Sequence, residues 1–362
     1  MRRKSLILVH TALKHSHGPS ISLTTGAVLL IAIVCASPAH AFQFRWLTHP
    51  QGAIDYWPRF SPDGKTILFT RQQGQTDVFD TVLFSGGKVT PFLDLTNDGY
   101  NITRADWDWT TNQIAFTALD TNDDPVVLST WIINGAGTIL TQIPLTSPVS
   151  QPAYPSFRED ASDADETVIE TALNSNDSDV YNSLNEVDIT TGALVAEYTS
   201  TSIIWTGEPS VSHGKGQIAF AGQLPYPPGA YSDTNNQIWI LTTDPTGNAL
   251  HQLDGLQGRT PDWSPDDTFL LFESARGCAN GNYAIFIEAS TGGKAVQLTN
   301  CSLNANHAVW APDGKHFAFA GEYFNSKDCT NGCRGIAISP VPSKFRPRFD
   351  PSGSFGPSEP NP

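Results

Sequence analysis

One block of sequence recurs along the chain and limits what it can fold into. Its clearest copy is Tyr56–Thr70, YWPRFSPDGKTILFT. It reads as a short strand over Trp57–Ser61, a tight turn at Pro62-Asp63-Gly64 and a second strand over Thr66–Thr70. The turn chemistry is specific. Proline presets φ at the first turn position, aspartate bonds its own backbone, and glycine takes the positive φ that closes a hairpin. Ile67, Leu68 and Phe69 form an apolar run, as expected of a strand covered on both faces.

The spacing repeats. Phe60 and Phe69 are nine residues apart, as are Trp107 and Phe116, Val211 and Phe220, Trp263 and Phe272, and Trp310 and Phe319. Ser264-Pro265-Asp266-Asp267 and Ala311-Pro312-Asp313-Gly314 keep most of the turn. A weaker copy starts at Gln151-Pro152-Ala153-Tyr154 and carries an acidic insertion before its second strand near Val168-Ile169. With Phe60, Trp107, Tyr154, Val211, Trp263 and Trp310 as anchors, successive copies are 47, 47, 57, 52 and 47 residues apart. Each unit has a second half, as in Val78–Phe84, Gly86-Gly87 and Val89–Leu95. Four strands per unit and six units predict an all-β, six-bladed β-propeller of four-stranded antiparallel blades. Phe42–Thr48 ends in Leu47-Thr48, the ending of a fourth, outer strand. The last copy instead runs into Pro340, Pro342 and Pro347, which remove ladder donors. The N-terminal strand is therefore expected to complete the last blade beside Arg334–Ser339 and close the ring.

The pattern P-x-[FW]-S-P-D-G-K-x-I-x-F, then an apolar strand, Gly-Gly and a closing Leu-Thr, resembles the repeat of TolB-type propellers over roughly residues 44–341. The resemblance implies a non-enzymatic propeller that docks an envelope protein at the mouth of its channel. The chain departs from that family in lacking the α/β domain that precedes the propeller. The same repeat occurs in the gate domains of prolyl-peptidase-like enzymes, but no Gly-x-Ser-x-Gly elbow is present.

Residues 1–41 read as a secretory signal. Arg2, Arg3, Lys4 and Lys14 precede a short apolar run at Ala27–Val34, and Ala39-His40-Ala41 offers a cleavage site after Ala41. That run is too short for a comfortable membrane span. The expected location is periplasmic or secreted. The propeller is assigned to residues 42–345 and a Pro/Gly/Ser-rich disordered tail to 346–362. Removing four basic residues takes the formal charge from −15 to −19. So acidic a chain is unsuited to nucleic acid or an anionic membrane. An envelope or extracellular protein, or a carbohydrate, fits better, and a monomer is expected.

Cys278, Cys301, Cys329 and Cys333 follow the cleavage site. An even count in an exported chain favours disulfides. Three pairings are open, and Cys278–Cys301 with Cys329–Cys333 is preferred. A Cys₄ zinc site is disfavoured by the absence of a Cys-x₂-Cys pair.

The repeat register names the residues around the channel mouth. Three positions before each anchor stand Trp57, Arg104, Gln151, Glu208, Thr260 and His307. One position earlier stand Tyr56, Thr103, Ser150, Gly207, Arg259 and Asn306. A concave mouth with converging polar groups is the default binding site. The plainer alternative is that these residues bond neighbouring blades. Tyr226 and Tyr231, in the proline-rich loop Gln223–Asp233, suit a protein or sugar contact on the same face. The alternative activity is that of a polysaccharide lyase or hydrolase, with Glu208 and His307 as acid–base candidates. No cofactor is expected. Asp120–Asp124, Asp160–Glu166 and Asn176–Asp179 offer oxygen ligands for Ca²⁺, but none has the glycine and terminal glutamate of the twelve-residue calcium loop.

Overall fold

The repeated blocks become hairpins for the reasons their turns imply. In the first, Gly64 takes φ 67° and its N–H donates to the Ser61 carbonyl at 2.8 Å. The Asp63 carboxylate accepts from Ser61 Oγ at 2.7 Å and from the Lys65 N–H at 3.0 Å. In the fifth block Asp266 takes the same role toward Ser264 and Thr268.

The structure is a computed structural model. It describes residues 42–123, 127–145, 149–158, 166–174, 183–199, 205–214, 216–224, 235–243, 248–323 and 332–347, all within the unit Phe42–Pro362. The expected signal, the expected tail beyond Pro347, Tyr226, Tyr231 and Cys329 lie outside these residues, while Arg346, the first residue assigned to that tail, donates from Nε to the Val341 carbonyl at 2.9 Å.

After β1 (Arg45–Trp46), strands follow in sets of four. The first set is β2 (Ile54–Phe60), β3 (Thr66–Gln73), β4 (Thr76–Leu83) and β5 (Thr90–Leu93). The second is β6 (Tyr100–Trp107), β7 (Gln113–Asp120), β8 (Val127–Asn134) and β9 (Ile139–Gln142). The third is β10 (Val149–Arg158), β11 (Thr167–Asn174), β12 (Ser183–Asp188) and β13 (Leu194–Thr199). The fourth is β14 (Trp205–Val211), β15 (Gln217–Gln223), β16 (Gln237–Thr242) and β17 (Ala249–Gln257). The fifth is β18 (Arg259–Trp263), β19 (Phe269–Ser274), β20 (Ala284–Ala289) and β21 (Val296–Gln297). The last strands are β22 (Asn306–Trp310), β23 (His316–Tyr323) and β24 (Cys333–Pro340).

The chain is an all-β propeller. Sets two to five are separate four-stranded antiparallel sheets. The first set and the last strands form one mixed eight-stranded sheet. Within it β1 pairs antiparallel with β24, Arg45 opposite Ile338 and Trp46 opposite Ala337. Between its halves stands a single parallel pair, Ile54 opposite Arg334. Ile336 N–H donates to Thr48 Oγ1 at 2.9 Å, which anchors the chain just after β1. Phe44, Trp46 and Tyr323 pack edge to face above this seam.

The core lies between sheets rather than within them. Each buried cluster draws on two neighbouring sets, as where Leu68 and Phe79 of the first meet Ile102, Trp107 and Phe116 of the second. Cys278 and Cys301 form a disulfide with Cα atoms 5.4 Å apart. Cys333 is also disulfide-bonded. No helix among the described residues is long and apolar enough to cross a membrane.

Candidate functional site

Every innermost strand is broken by a bulge at the same place. The register with the second strand shifts between Tyr56 and Arg59, Thr103 and Asp106, Gly207 and Ser210, Arg259 and Asp262, and Asn306 and Val309. A bulge puts an extra residue on one strand and bends it. The bulged residues take left-handed backbone: Trp57 at φ 53°, Arg104 at 53°, Glu208 at 55°, Thr260 at 50° and His307 at 52°. Such φ values are uncommon for residues with a Cβ, and worst for β-branched ones such as Thr260.

The third strand corrects the sequence register. It carries two bulges, between Ser150 and Ala153 and between Ala153 and Ser156. Phe157 pairs with Val168, as Phe60 pairs with Ile67. Phe157 is therefore the anchor, and Tyr154, at φ 60°, takes the ring position. Gln151 belongs to the extra bulge. Its Oε1 accepts from the Leu128 N–H at 2.9 Å, and it is not among the residues lining the central cavity. The sequence offers two candidates here, since Gln151 and Tyr154 both precede proline. Tyr154-Pro155 matches Trp57-Pro58, Glu208-Pro209 and Thr260-Pro261.

Neighbouring sets are latched at this level. At three junctions the side chain of the residue before one anchor accepts the N–H of the next anchor. Asp106 Oδ2 takes Phe157 N–H at 2.9 Å, Ser156 Oγ takes Val211 N–H at 3.1 Å, and Asp262 Oδ2 takes Trp310 N–H at 2.7 Å. The bulged N–H groups are held as well. Thr117 Oγ1 accepts from Tyr154 at 3.0 Å, Glu208 Oε2 from Thr260 at 3.0 Å, and Glu273 Oε2 from His307 at 2.6 Å. These bonds offset the strain of the left-handed backbone.

Four bulged side chains stack across the channel. The Arg104 guanidinium lies 3.4 Å from the Tyr154 ring centroid on one side and 3.7 Å from that of Trp57 on the other. Trp57 in turn stacks on His307, centroids 3.5 Å apart and planes at 19°. Arg104 also pairs with Glu208 at 3.2 Å. Burial pushes the Glu208 carboxyl up against the pull of Arg104. Burial and the charges of Arg104, Arg334, Arg259 and Arg59 push His307 well below the ordinary imidazole value, so it is neutral at pH 7. Around these groups lies an open cavity of about 30 Å³, so only small groups fit.

The second tier is engaged in its own blades. Tyr56 Oη donates to Asp77 at 2.9 Å, Arg259 pairs with Glu273 at 2.5 Å, and Asn306 Oδ1 accepts from Arg334 at 2.6 Å. Ser150 leaves this tier with Gln151. Among the described residues no group of three or more His, Cys, Asp or Glu is placed to hold a metal ion. Of the acidic runs, Asp120 accepts from the Asn122 N–H at 2.9 Å and Glu166 from Gln113 at 3.0 Å. The rest of Asp160–Glu166, and all of Asn176–Asp179, lie outside the described residues.

No family model matches the chain. The uncharacterized peptidase YuxL of Bacillus subtilis (strain 168) is 37% identical over 86 residues, which are 23% of this chain and 12% of that protein. TolB from Acinetobacter baumannii superposes with a TM-score of 0.51 at 17% identity, covering 80% of this chain and 64% of that one. A structure from Agrobacterium tumefaciens assigned as TolB gives 0.50 at 13% identity, covering 80% and 91%. The chain therefore spans a small part of YuxL and just under two thirds of the Acinetobacter protein. It is structurally similar to TolB propeller domains, and the likeness is one of fold.

Proposed function

We propose that this chain is an exported, non-enzymatic, six-bladed propeller that docks a protein of the envelope or exterior over its channel mouth. Only one parallel pair joins the halves of the mixed sheet, so we count it as two blades, the last completed by β1. The clusters between neighbouring sets support that count. The basic, then apolar N-terminus and the Cys278–Cys301 bridge support export.

The observation that carries the docking reading is the Tyr154–Arg104–Trp57–His307 stack. It fills the channel mouth with side chains stacked on one another, His307 Nδ1 being the one buried polar atom of the stack left without a hydrogen bond. A polysaccharide chain needs an open cleft, and an acid–base pair needs groups free to exchange protons with substrate. Glu208 is instead held by Arg104 and the Thr260 N–H, and His307 lies flat against Trp57. A closed, aromatic and arginine-rich face suits a protein contact, where such residues concentrate binding energy.

The test uses residues 42–345 as bait in envelope extract, beside a Trp57→Ala/Glu208→Ala/His307→Ala variant checked for folding by circular dichroism. One protein retained by the native propeller and lost from the variant is expected. Equal capture by both, or by neither, ends the docking reading. Turnover of a polysaccharide that disappears in Glu208→Gln would put the lyase or hydrolase in its place.

A further inference from the structure

Three buried polar atoms without a hydrogen-bond partner belong to residues lining the central cavity: Arg59 Nε, Thr260 Oγ1 and His307 Nδ1. They come from three different sets of strands, and Thr260 is only 6% exposed. Folded proteins rarely leave such groups unpaired, and each exception asks for a ligand, water or ion. The three share a chemistry. Arg59 Nε can only donate, the Thr260 hydroxyl can donate, and a neutral imidazole donates from Nδ1 in one tautomer.

The charges around them favour an anion. Arg104, Arg334, Arg259 and Arg59 all act on His307 to disfavour its protonated form. The carboxylates nearby are committed. Glu208 is held by Arg104 and the Thr260 N–H, and Glu273 by Arg259 and the His307 N–H. Asp106 is held by Ser156 and Phe157, and its Oδ1 forms an ion pair with Arg59 Nε at 3.4 Å that makes no hydrogen bond, while Asp262 is held by the Trp310 N–H. Arg334 donates to the neutral oxygens of Asn306 and Asn304, and Glu273 and Glu322 act on its charge through space.

We propose that the cavity binds one small oxyanion, a carboxylate, through the Arg59 Nε–H, the Thr260 hydroxyl and the His307 Nδ1–H. This site lies in an otherwise acidic protein, so it selects for a carboxylate presented singly rather than for a polyanion. Where a protein docks over the mouth, the carboxylate is a side chain or chain terminus of that protein. That last clause rests on the docking reading, whereas the site itself does not.

The experiment titrates sodium acetate into the mature chain at constant ionic strength, with chloride as the balancing anion. The His307 ring resonances are followed by NMR. Wild type is expected to show a saturable shift that chloride alone does not produce. Thr260→Val keeps the shape of the side chain and removes one donor to a charged group, which weakens acetate about tenfold. Arg59→Gln removes the charge and abolishes saturation, with folding of both variants confirmed by thermal melting. Three results overturn the site: no saturable shift in wild type, equal affinity in Thr260→Val, or saturation by inorganic phosphate but not acetate. Acetate is then added to the pull-down. Saturable acetate binding that leaves capture unchanged keeps the site and removes it from docking. Capture without any acetate binding keeps docking and removes the site.

Discussion

Glu170 stands where the other five copies have Phe69, Phe116, Phe220, Phe272 and Phe319. It is 2% exposed, and its carboxylate accepts from Thr130 Oγ1 at 2.7 Å. Ile143, Pro144, Pro152 and Val187 line the space beside it, and none can pair with a charge. Burial pushes this carboxyl up to about 7. The folded protein therefore holds a proton there that the unfolded chain releases near its ordinary value of 4.5. Stability from Glu170 is full below that value and is lost as pH rises through about 7. The loss is on the order of 3 kcal/mol for a shift of this size. Glu170→Gln keeps an acceptor for Thr130 and cannot ionise. It is expected to melt close to wild type at pH 5 and several degrees above it at pH 8. A Tm difference that does not change with pH would refute this account.

At the scale of elements, the Cys278–Cys301 bridge ties the loop after β19 to the segment after β21 across 23 residues. Closing a loop of that length in the unfolded chain stabilises the fold by about 3 kcal/mol. Cys278→Ser with Cys301→Ser should lower the urea midpoint, and the unfolding free energy extrapolated from it by that amount, without changing the far-ultraviolet circular dichroism. An unchanged midpoint would mean that the bridge constrains nothing. The hairpins and their order were legible in the sequence because each combines a turn with an apolar strand at fixed spacing. The pairing of β1 with β24 was legible because Leu47-Thr48 repeats the ending of an outer strand and proline blocks the other end. The third copy misled because its acidic insertion hides the nine-residue spacing. Tyr154 also looks like an anchor, while Phe157 is the residue that pairs with Val168. The extra bulge at Gln151 has no counterpart in the other copies. Positive φ at Trp57 or His307 leaves no trace in residue type. The stack on Arg104 joins side chains from separate copies, so no local pattern could reveal it.

Across the whole molecule, the buried groups make stability depend on pH in a direction set by a contest. Glu170, Asp262 and Glu288 are all pushed up to about 7, chiefly by burial. Asp55 and Glu208 are raised in the same sense. Each holds a proton in the fold that the unfolded chain has lost, so each contributes stability that fades as pH rises through its folded value. His213 and His307 oppose this. Both are lowered by burial, so below their ordinary value of 6.5 the unfolded chain binds protons that the fold refuses. The lowered Asp63 and Asp188 act only near or below 3.8, outside the contest. Between pH 5.5 and 6.5 the three carboxyls with folded values near 7, joined by the raised Asp55 and Glu208, outnumber the two imidazoles, so the balance tips toward loss of stability with rising pH. Above that window the imidazoles drop out and the carboxyls continue to ionise up to and past 7. The net charge of −15 adds self-repulsion in the same direction. Unfolding free energy from urea titrations should therefore fall from pH 5.5 to pH 8. His307→Gln, which removes one opposing imidazole, should steepen the fall below pH 6.5 and leave it unchanged above. A stability that rises toward pH 8 would mean that the imidazoles dominate and that the buried carboxyls are charged in the fold.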